Sequence, residues 1–382
     1  MERIQTINPA RILWCCQEQG ITPEELASKT GIAWTSFKKM MDGEDGITFN
    51  QLRAVSEHFN RGTLFFLESE AIVAEEVHSP QFRTIANQKP ELSAKLRALI
   101  RRVETQREIY LSLLEDLGDS EISRFSPPML PRQNISRAAA ITRQWLELGE
   151  SNSFDTYRQS VESKGVLVFR SNGYNGPWQI PKESPICGFT LYDPACPVIV
   201  IKKQDNENRQ AFTLIHELGH VLLHQDSFID EEIDLFSYHG KEREANAFAG
   251  YLLVPDNVLE RIVDRNRPEE VAYYDSWLNE YRKDWGISGE VILRRLLDSG
   301  RLDQTKYDAY RSWKRAQSRP ESEGGNRSSR YREPERVFGA GFVRTVLDAL
   351  HAKHISLAKA STYLDNLKIA DVHQLEGMYA GL

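Results

Sequence analysis

Five consecutive residues, His216-Glu217-Leu218-Gly219-His220, have the types and spacing of a metal-dependent hydrolytic site. Side chains four residues apart lie on one face of an α-helix, so His216 and His220 can direct ring nitrogens at a single metal ion. Glu217 lies one residue further round that helix, where it can act as general base toward water activated by the metal. The alternative is an amphipathic helix whose two histidines are ordinary buried polar groups. The apolar residues on both sides of the motif favour a buried, catalytic helix that binds Zn²⁺.

A third zinc ligand is expected downstream, because a catalytic zinc has three protein ligands and one open position. The segment 241–249 offers two carboxylates, Glu242 and Glu244. On a helical wheel Glu242 lies nearer the buried stripe, so Glu242 is the predicted ligand and Glu244 the reserve. Asn246, one turn after Glu242, is predicted to accept a hydrogen bond from a ligand imidazole and so fix its tautomer. The stripe itself consists of Ala245, Phe248, Ala249, Leu252 and Leu253.

Two weaker expectations concern the neighbourhood of this site. His224 lies one turn beyond His220, so its best functional interpretation is contact with a ligand side chain rather than with the metal. The apolar run 197–201 could present a free strand edge to a substrate peptide, although such a run more often forms plain core.

The elements ahead of the motif indicate the fold. Strands are predicted around 166–169, 188–191 and 197–201, before the helix that carries His216. Strands first and the active helix afterwards is the α+β order of the zincin metalloproteases. The predicted fold class is therefore multidomain α+β, with a central zincin-like domain.

The first 68 residues predict an all-α domain. Thr22 and Glu25 form a capping box around Pro23, and the resulting helix ends at Gly31. Helices at 33–41 and 49–59 follow, which gives a helix-turn-helix arrangement. The second helix of such a pair enters the major groove of DNA through its first residues. The candidate DNA-contacting residues are Trp34, Thr35, Ser36, Lys38 and Lys39.

The charge of this domain argues against strong DNA binding. Residues 1–62 contain seven Lys or Arg and eight Asp or Glu, whereas neutralisation of phosphates supplies much of DNA affinity. Protein interaction or dimerisation is therefore the main alternative for this domain.

The composition predicts a globular protein of several domains in a reducing compartment. The chain has 382 residues, is 40% hydrophobic and 27% charged, and carries a net charge of −7. Its four cysteines show no C-x-x-C spacing, no signal peptide is evident, and no apolar run would span a membrane, so the predicted location is the cytoplasm. The predicted layout is a helix-turn-helix domain (1–68), a helical linker with a long amphipathic helix (69–133), the peptidase domain (134–266), a helical subdomain (267–313), a flexible linker (314–336) and a C-terminal helical module (337–382).

The central motifs resemble the ImmA/IrrE family of metallo-endopeptidases. The resemblance rests on the motif at 216–220 with His224, on Glu242-x-x-Ala245-Asn246-x-Phe248-Ala249, and on Leu252-Leu253-Val254-Pro255. The helix-turn-helix residues resemble the lambda-repressor/Cro type, and such a domain ahead of the peptidase is a recurring arrangement in that family. The resemblance implies gluzincin-like, zinc-dependent cleavage of a partner repressor or antitoxin-like protein by a bacterial or prophage regulator of stress or toxin-antitoxin circuits.

Two functions from different classes remain open. The first is this zinc endopeptidase, whose protein substrate would be encoded nearby and which could also bind DNA and form a homodimer. The second is a non-catalytic transcriptional regulator or antitoxin whose zinc site is structural. Since a structural zinc is closed by four protein ligands, a fourth ligand would favour the second.

Overall fold

The computed structural model describes the chain except for residues 1–2, 5, 20, 45, 60, 71–87, 89–91, 119–124, 132, 150–151, 173–175, 205, 233, 237–238, 318–326 and 381–382. It is mixed α+β and mostly helical, with one small and one larger sheet. The chain divides into two compact units, Met1–Arg101 and Arg102–Leu382.

The first unit is built from short helices around one apolar core. Thr22 caps the second helix through the predicted capping box with Glu25, and Gly31 follows in the left-handed region with φ 69°. The helices predicted at 23–30, 33–41 and 49–59 are confirmed to within a residue or two, whereas the first helix and a two-stranded pairing were not predicted. The elements are β1 Arg3–Ile4, α1 Pro9–Gln19, α2 Pro23–Lys29, α3 Trp34–Met41, β2 Ile47–Thr48 and α4 Phe49–Phe59.

The amphipathic helix predicted in the linker is present as α5, Ala94–Asp116. The boundary between the two units falls inside this helix. Much of the predicted linker, residues 71–87, 89–91 and 119–124, lies outside the described residues.

A four-stranded mixed sheet forms the centre of the second unit. Its strands are β3 Leu167–Arg170, β4 Ile186–Leu191, β5 Val198–Ile201 and β6 Phe228–Glu231, in the order β3-β5-β4-β6. The three strands predicted from the sequence are present, but β6 was not predicted. The expectation of a free edge at 197–201 is wrong, because β5 pairs with β3 on one side and with β4 on the other. Among the described strands the sheet edges are β3 and β6.

Helices pack against this sheet and against one another. The helix that carries His216 and His220, α8 (Glu207–Gly219), lies against β4 and β5, and α9 (Gly240–Leu253) lies against α8. Residues from the predicted helical subdomain, such as Tyr274, Ile292 and Tyr310, belong to the same apolar core as Leu214 and Phe248. The helices are α6 Ile135–Trp145, α7 Phe154–Glu162, α8 Glu207–Gly219, α9 Gly240–Leu253, α10 Asp256–Leu259, α11 Tyr274–Trp277, α12 Asn279–Trp285, α13 Gly289–Asp298 and α14 Gln304–Ala316.

The C-terminal residues also form helices, which pack within the second unit. They are α15 Glu333–His351, α16 Leu357–Tyr363 and α17 Ile369–Ala380. Phe338 of α15 packs edge-on against Trp178 and Phe169, with ring centroids 4.7 and 5.6 Å away. The helix is kinked at Gly339, whose φ is 85°. Of the predicted flexible linker, residues 318–326 lie outside the described part of the chain.

Buried polar groups reinforce this docking. Arg158 forms an ion pair of 2.8 Å with Glu162 and donates hydrogen bonds to the carbonyl oxygens of Arg336 and Val337. Burial raises the pKa of the Glu162 carboxyl, although Arg158 opposes the shift. A Cβ at Gly339 would lie 2.0 Å from Glu162 Oε1, so only glycine fits at the kink.

The described helices include none that is long and apolar enough to cross a membrane.

Candidate metal centre and active site

The active helix changes its geometry within the motif. Helix α8 begins after Asn206, whose side chain accepts a hydrogen bond from the backbone of Asn208, and its regular turns run to Gly219. Residues 220–224 continue as a π-helical turn that ends at Gln225 in the left-handed region. Such turns are rare and frequently mark functional sites.

Three buried side chains and one partly exposed side chain, that of Glu242, bring one donor atom each to a common point. They form the His–carboxylate cluster, which consists of His216, His220, Asp230 and Glu242. The Nε2 atoms of the two histidines are 3.1 Å apart. Asp230 Oδ2 lies 3.2 and 3.4 Å from the nitrogens of His216 and His220, and Glu242 Oε2 lies 3.3 and 3.5 Å from them.

These spacings fit a single metal ion. Donor atoms bound to a tetrahedral zinc at about 2.0–2.2 Å lie about 3.3–3.6 Å from one another, and imidazole and carboxylate are both zinc ligands. The spacings of 3.1–3.5 Å that involve the histidines are close to that range, and all four donor atoms lie within 4.8 Å of one another. Asp230 Oδ2 and Glu242 Oε2 are buried and accept no hydrogen bond in the described structure. A cation between them would compensate two carboxylates that burial otherwise penalises. The residues present therefore suit a divalent metal such as zinc.

The electrostatics of the cluster reflect the same arrangement. Burial opposes the charged form of His216, but Asp230 and Glu242 outweigh it and raise the pKa of His216 to about 9. Burial likewise penalises the Asp230 carboxylate, yet the two histidines hold its pKa well below the usual range. The carboxylates thus favour positive charge at the point where the four donor atoms meet.

Close packing between α8 and α9 positions Glu242. A Cβ at Gly219 would lie 3.1 Å from the Phe248 ring and 3.3 Å from the backbone of Ala245. The glycine of the motif therefore lets α9 approach α8, and Glu242 in the first turn of α9 reaches the two histidines. The structure places the predicted ligand Glu242 in the cluster and Glu244 outside it.

Glu217 is fully buried beside the cluster and held at one oxygen. Its Oε2 accepts a hydrogen bond of 2.6 Å from Thr190 Oγ1 on β4, while Oε1 accepts none in the described structure. A Cβ at Gly188 would lie 2.5 Å from Oε1, so glycine at this strand position makes room for the carboxylate. Burial and the nearby Asp230 raise the pKa of Glu217 well above its ordinary value. These are the surroundings of a group that accepts and returns a proton.

His224 connects the cluster to the surface. Its Nδ1 lies 2.9 Å from His220 Nδ1, and its Nε2 lies 3.1 Å from Glu244 Oε2. Burial and the neighbouring His220 lower the pKa of His224, which favours a neutral ring. Glu244, the reserve ligand, thus contacts the site through His224.

Asn246 makes a different contact from the one predicted. Its amide donates to the carbonyl oxygen of Asp234 at 3.0 Å, while His216 Nδ1 has no hydrogen-bond partner among the described residues. The amide therefore ties α9 to the turn after β6 rather than orienting an imidazole. Asn246 also lines a pocket beside α8 that includes the apolar side chains of Phe212, Leu235 and Val291.

Asp230 is the cluster residue that the sequence did not reveal. It lies on β6 directly opposite Gly188 of β4, and only this strand pairing brings it to the histidines. Asp and Glu are depleted in strands, so the segment 226–234 with its five acidic residues did not indicate one.

The candidate DNA-contacting residues belong to α3 of the first unit. Trp34, Thr35, Lys38 and Lys39 are exposed and Ser36 is partly exposed. Phe37 and Met40 face the core, which leaves the polar side of α3 accessible.

Sheet, active helix, buried glutamate and His–carboxylate cluster are together the features of an HExxH-type metallopeptidase domain. Comparison with protein families agrees, because residues 181–297 match the peptidase M78 family, described as the IrrE N-terminal-like domain. The resemblance noted from the sequence is therefore confirmed for residues 181–297. The matched range does not include the helix-turn-helix residues.

A curated relative comes from a phage. The "uncharacterized immunity region protein 2" of Bacillus phage phi105 is 41% identical over 85 residues, which are 22% of this chain and 52% of that protein. The chain spans about half the length of the curated relative it matches.

Proposed function

We propose that the chain is a zinc-dependent endopeptidase that cleaves a partner regulatory protein. The observation that carries the proposal is the convergence of His216, His220 and Glu242 on one point, with the carboxylate of Glu217 buried beside it. The M78 family match supports peptidase chemistry, and the phage immunity-region relative supports a repressor-type substrate. We further expect this partner protein to belong to a toxin-antitoxin or stress-response circuit.

Each residue of the site has a separate role in the proposed reaction. Zinc, when bound, would polarise a water molecule and the scissile carbonyl. Glu217 Oε1, the oxygen without a hydrogen bond, accepts the proton of the attacking water, while Thr190 holds Oε2 in place. Glu217 then delivers that proton to the leaving amine. Glu242 holds its place in the cluster through the close contact of α9 with α8 at Gly219.

The structure suggests where a substrate peptide would lie. Strand β6 is an edge of the described sheet and carries Asp230. An extended peptide could add beside it through main-chain hydrogen bonds, which is a common mode of peptide recognition. The pocket lined by Phe212, Leu235 and Val291 would then accept an apolar side chain, since the Phe212 ring is 6.2 Å from that of His216.

The test uses the full chain with one equivalent of zinc and, as substrate, the repressor or toxin-system protein encoded beside its gene. We expect defined fragments from the wild type and none from Glu217→Gln, although both bind zinc equally. Glu207→Gln makes the same change on the exposed first turn of α8 and should cleave normally. Identical fragments from wild type and Glu217→Gln, or no cleavage by either, would refute proteolysis as the function.

A second candidate is a non-catalytic regulator with a structural zinc. The observation that favours it is Asp230, because a fourth protein ligand closes a zinc site. This candidate predicts that Glu217→Gln retains full regulatory activity in the cell. Loss of regulation in the same variant favours the peptidase.

A further inference from the structure

Asp230 differs from the other three members of the cluster in what holds it there. It is 1% exposed, and its Oδ2 lies within 3.4 Å of both ligand nitrogens. That oxygen accepts no hydrogen bond in the described structure. Glu242 reaches the cluster from a helix fixed by close packing, whereas Asp230 lies on a four-residue strand at the edge of the described sheet.

We propose that Asp230 is the fourth metal ligand of the resting protein and closes the site until a bound substrate displaces it. This inference rests on the proposed endopeptidase function and adds a device that restricts its substrates. Three protein ligands leave a zinc open to water, whereas four close it. With Asp230 in place, its carboxylate occupies the position that the attacking water or the scissile carbonyl needs.

The position of Asp230 explains how a substrate could open the site. A peptide that adds beside β6 contacts the strand that carries this carboxylate. Binding energy from the rest of the substrate can then offset the loss of one ligand bond. A short or weakly bound peptide lacks that energy. The enzyme would therefore cleave only proteins that bind well along this edge.

The carboxylates at the site also favour the displacement of Asp230 by a substrate. Glu217, Asp230 and Glu242 bring three carboxylates to one site, where Glu217 and Asp230 are buried and Glu242 is partly exposed. When Asp230 leaves, one negative charge moves away from Glu217 and from the metal position. The general base and a polarised carbonyl can then approach each other with less repulsion.

The experiment measures access to the metal without requiring proteolysis. Full-length protein is loaded with Co²⁺, and its visible absorption spectrum is titrated with acetohydroxamate, a small chelating ligand for an open metal position. We expect no spectral shift in the wild type and a saturable shift in Asp230→Ala. Asp230→Asn, which preserves side-chain size but is a poorer ligand, should also show the spectral shift. This variant provides the test if Asp230→Ala does not fold.

Glu231→Ala is the matched control, because Glu231 follows on the same strand and lies outside the cluster. It should behave as the wild type. An equal shift in wild type and Asp230 variants would overturn the proposal, and so would no shift in any of them or a shift in Glu231→Ala.

Cleavage of an unstructured polypeptide such as casein separates this inference from the proposed function. If the proposal holds, Asp230→Asn loaded with zinc cleaves casein and the wild type does not. If Asp230 closes the Co²⁺ site but neither protein cleaves casein or the natural partner, the metal is structural. That result would refute the endopeptidase function and, with it, the proposal that a substrate displaces Asp230. It would leave Asp230 as the fourth ligand of a structural metal.

Discussion

At the scale of single residues, the hydrogen bonds around His220 determine which nitrogen can face the cluster. Its Nε2 meets the carboxylates, so a ligand role for that atom requires the hydrogen on Nδ1. That hydrogen is donated to His224 Nδ1, and His224 Nε2 then donates to Glu244 Oε2. These hydrogen bonds leave one consistent set of tautomers and fix the ring orientation of His220, a candidate metal ligand.

Removing His224, which accepts the hydrogen bond from His220, should weaken metal binding. We expect His224→Phe to lower zinc affinity by about 10–100-fold, the usual effect of losing an outer hydrogen-bond partner of a ligand. Glu244→Gln should cost less, because its amide oxygen still accepts from His224. His354→Phe makes the same substitution at an exposed histidine outside the cluster and should leave affinity unchanged. Competition with a chromophoric chelator measures all four proteins, and a wild-type affinity in His224→Phe would show that the contact has no such role.

The residues that sequence reasoning could find are those related by helical periodicity. His216, Glu217 and His220 follow from a spacing of four, and Glu242 follows from the buried face of its own helix. Asp230 depends instead on the pairing of β6 with β4, which is a tertiary contact that local sequence does not encode. For the same reason the sequence placed a free edge at 197–201, where the run is apolar because β5 has neighbours on both sides.

At the scale of elements, α15 covers part of the sheet that carries the site. Phe338 is 1% exposed and packs against Phe169 of β3 and Trp178. The helical pattern of the C-terminal residues is visible in the sequence, but their docking partner is not. The contact implies that this segment stabilises the peptidase sheet.

Truncating this contact should therefore destabilise the second unit. We expect Phe338→Ala to lower the free energy of unfolding by about 3–5 kcal/mol, the usual range for a buried phenylalanine. His354→Ala, on the exposed surface near the end of the same segment, should change it by less than about 0.5 kcal/mol. Urea denaturation followed by circular dichroism measures both. Equal stability of the two variants would mean that the C-terminal helices are not part of the folding unit.

At the scale of the whole molecule, the chain joins a domain that matches a peptidase family to a first unit of short helices with nearly balanced charge. Lys38 and Lys39 are exposed at the end of α3, and the exposed acidic residues Asp42 and Glu44 follow within five residues of Lys39 in the sequence. Acidic residues beside a phosphate-binding site reduce affinity and leave less counterion release to drive binding. We therefore expect the full chain to bind DNA weakly and mainly at low salt.

Two lysines should account for that weak binding. Each lysine that contacts a phosphate contributes about one unit to the slope of log affinity against log salt, so Lys38→Ala with Lys39→Ala should reduce the slope by about two. Lys283→Ala with Lys368→Ala removes two exposed lysines from the second unit and should leave the slope unchanged. Fluorescence anisotropy with duplex DNA from upstream of the gene, at about 50–200 mM salt, measures both. If the wild type shows no salt-dependent binding even at the lowest salt, the prediction that α3 binds DNA is refuted. Protein interaction or dimerisation, the alternative predicted for this domain, is then the role to test.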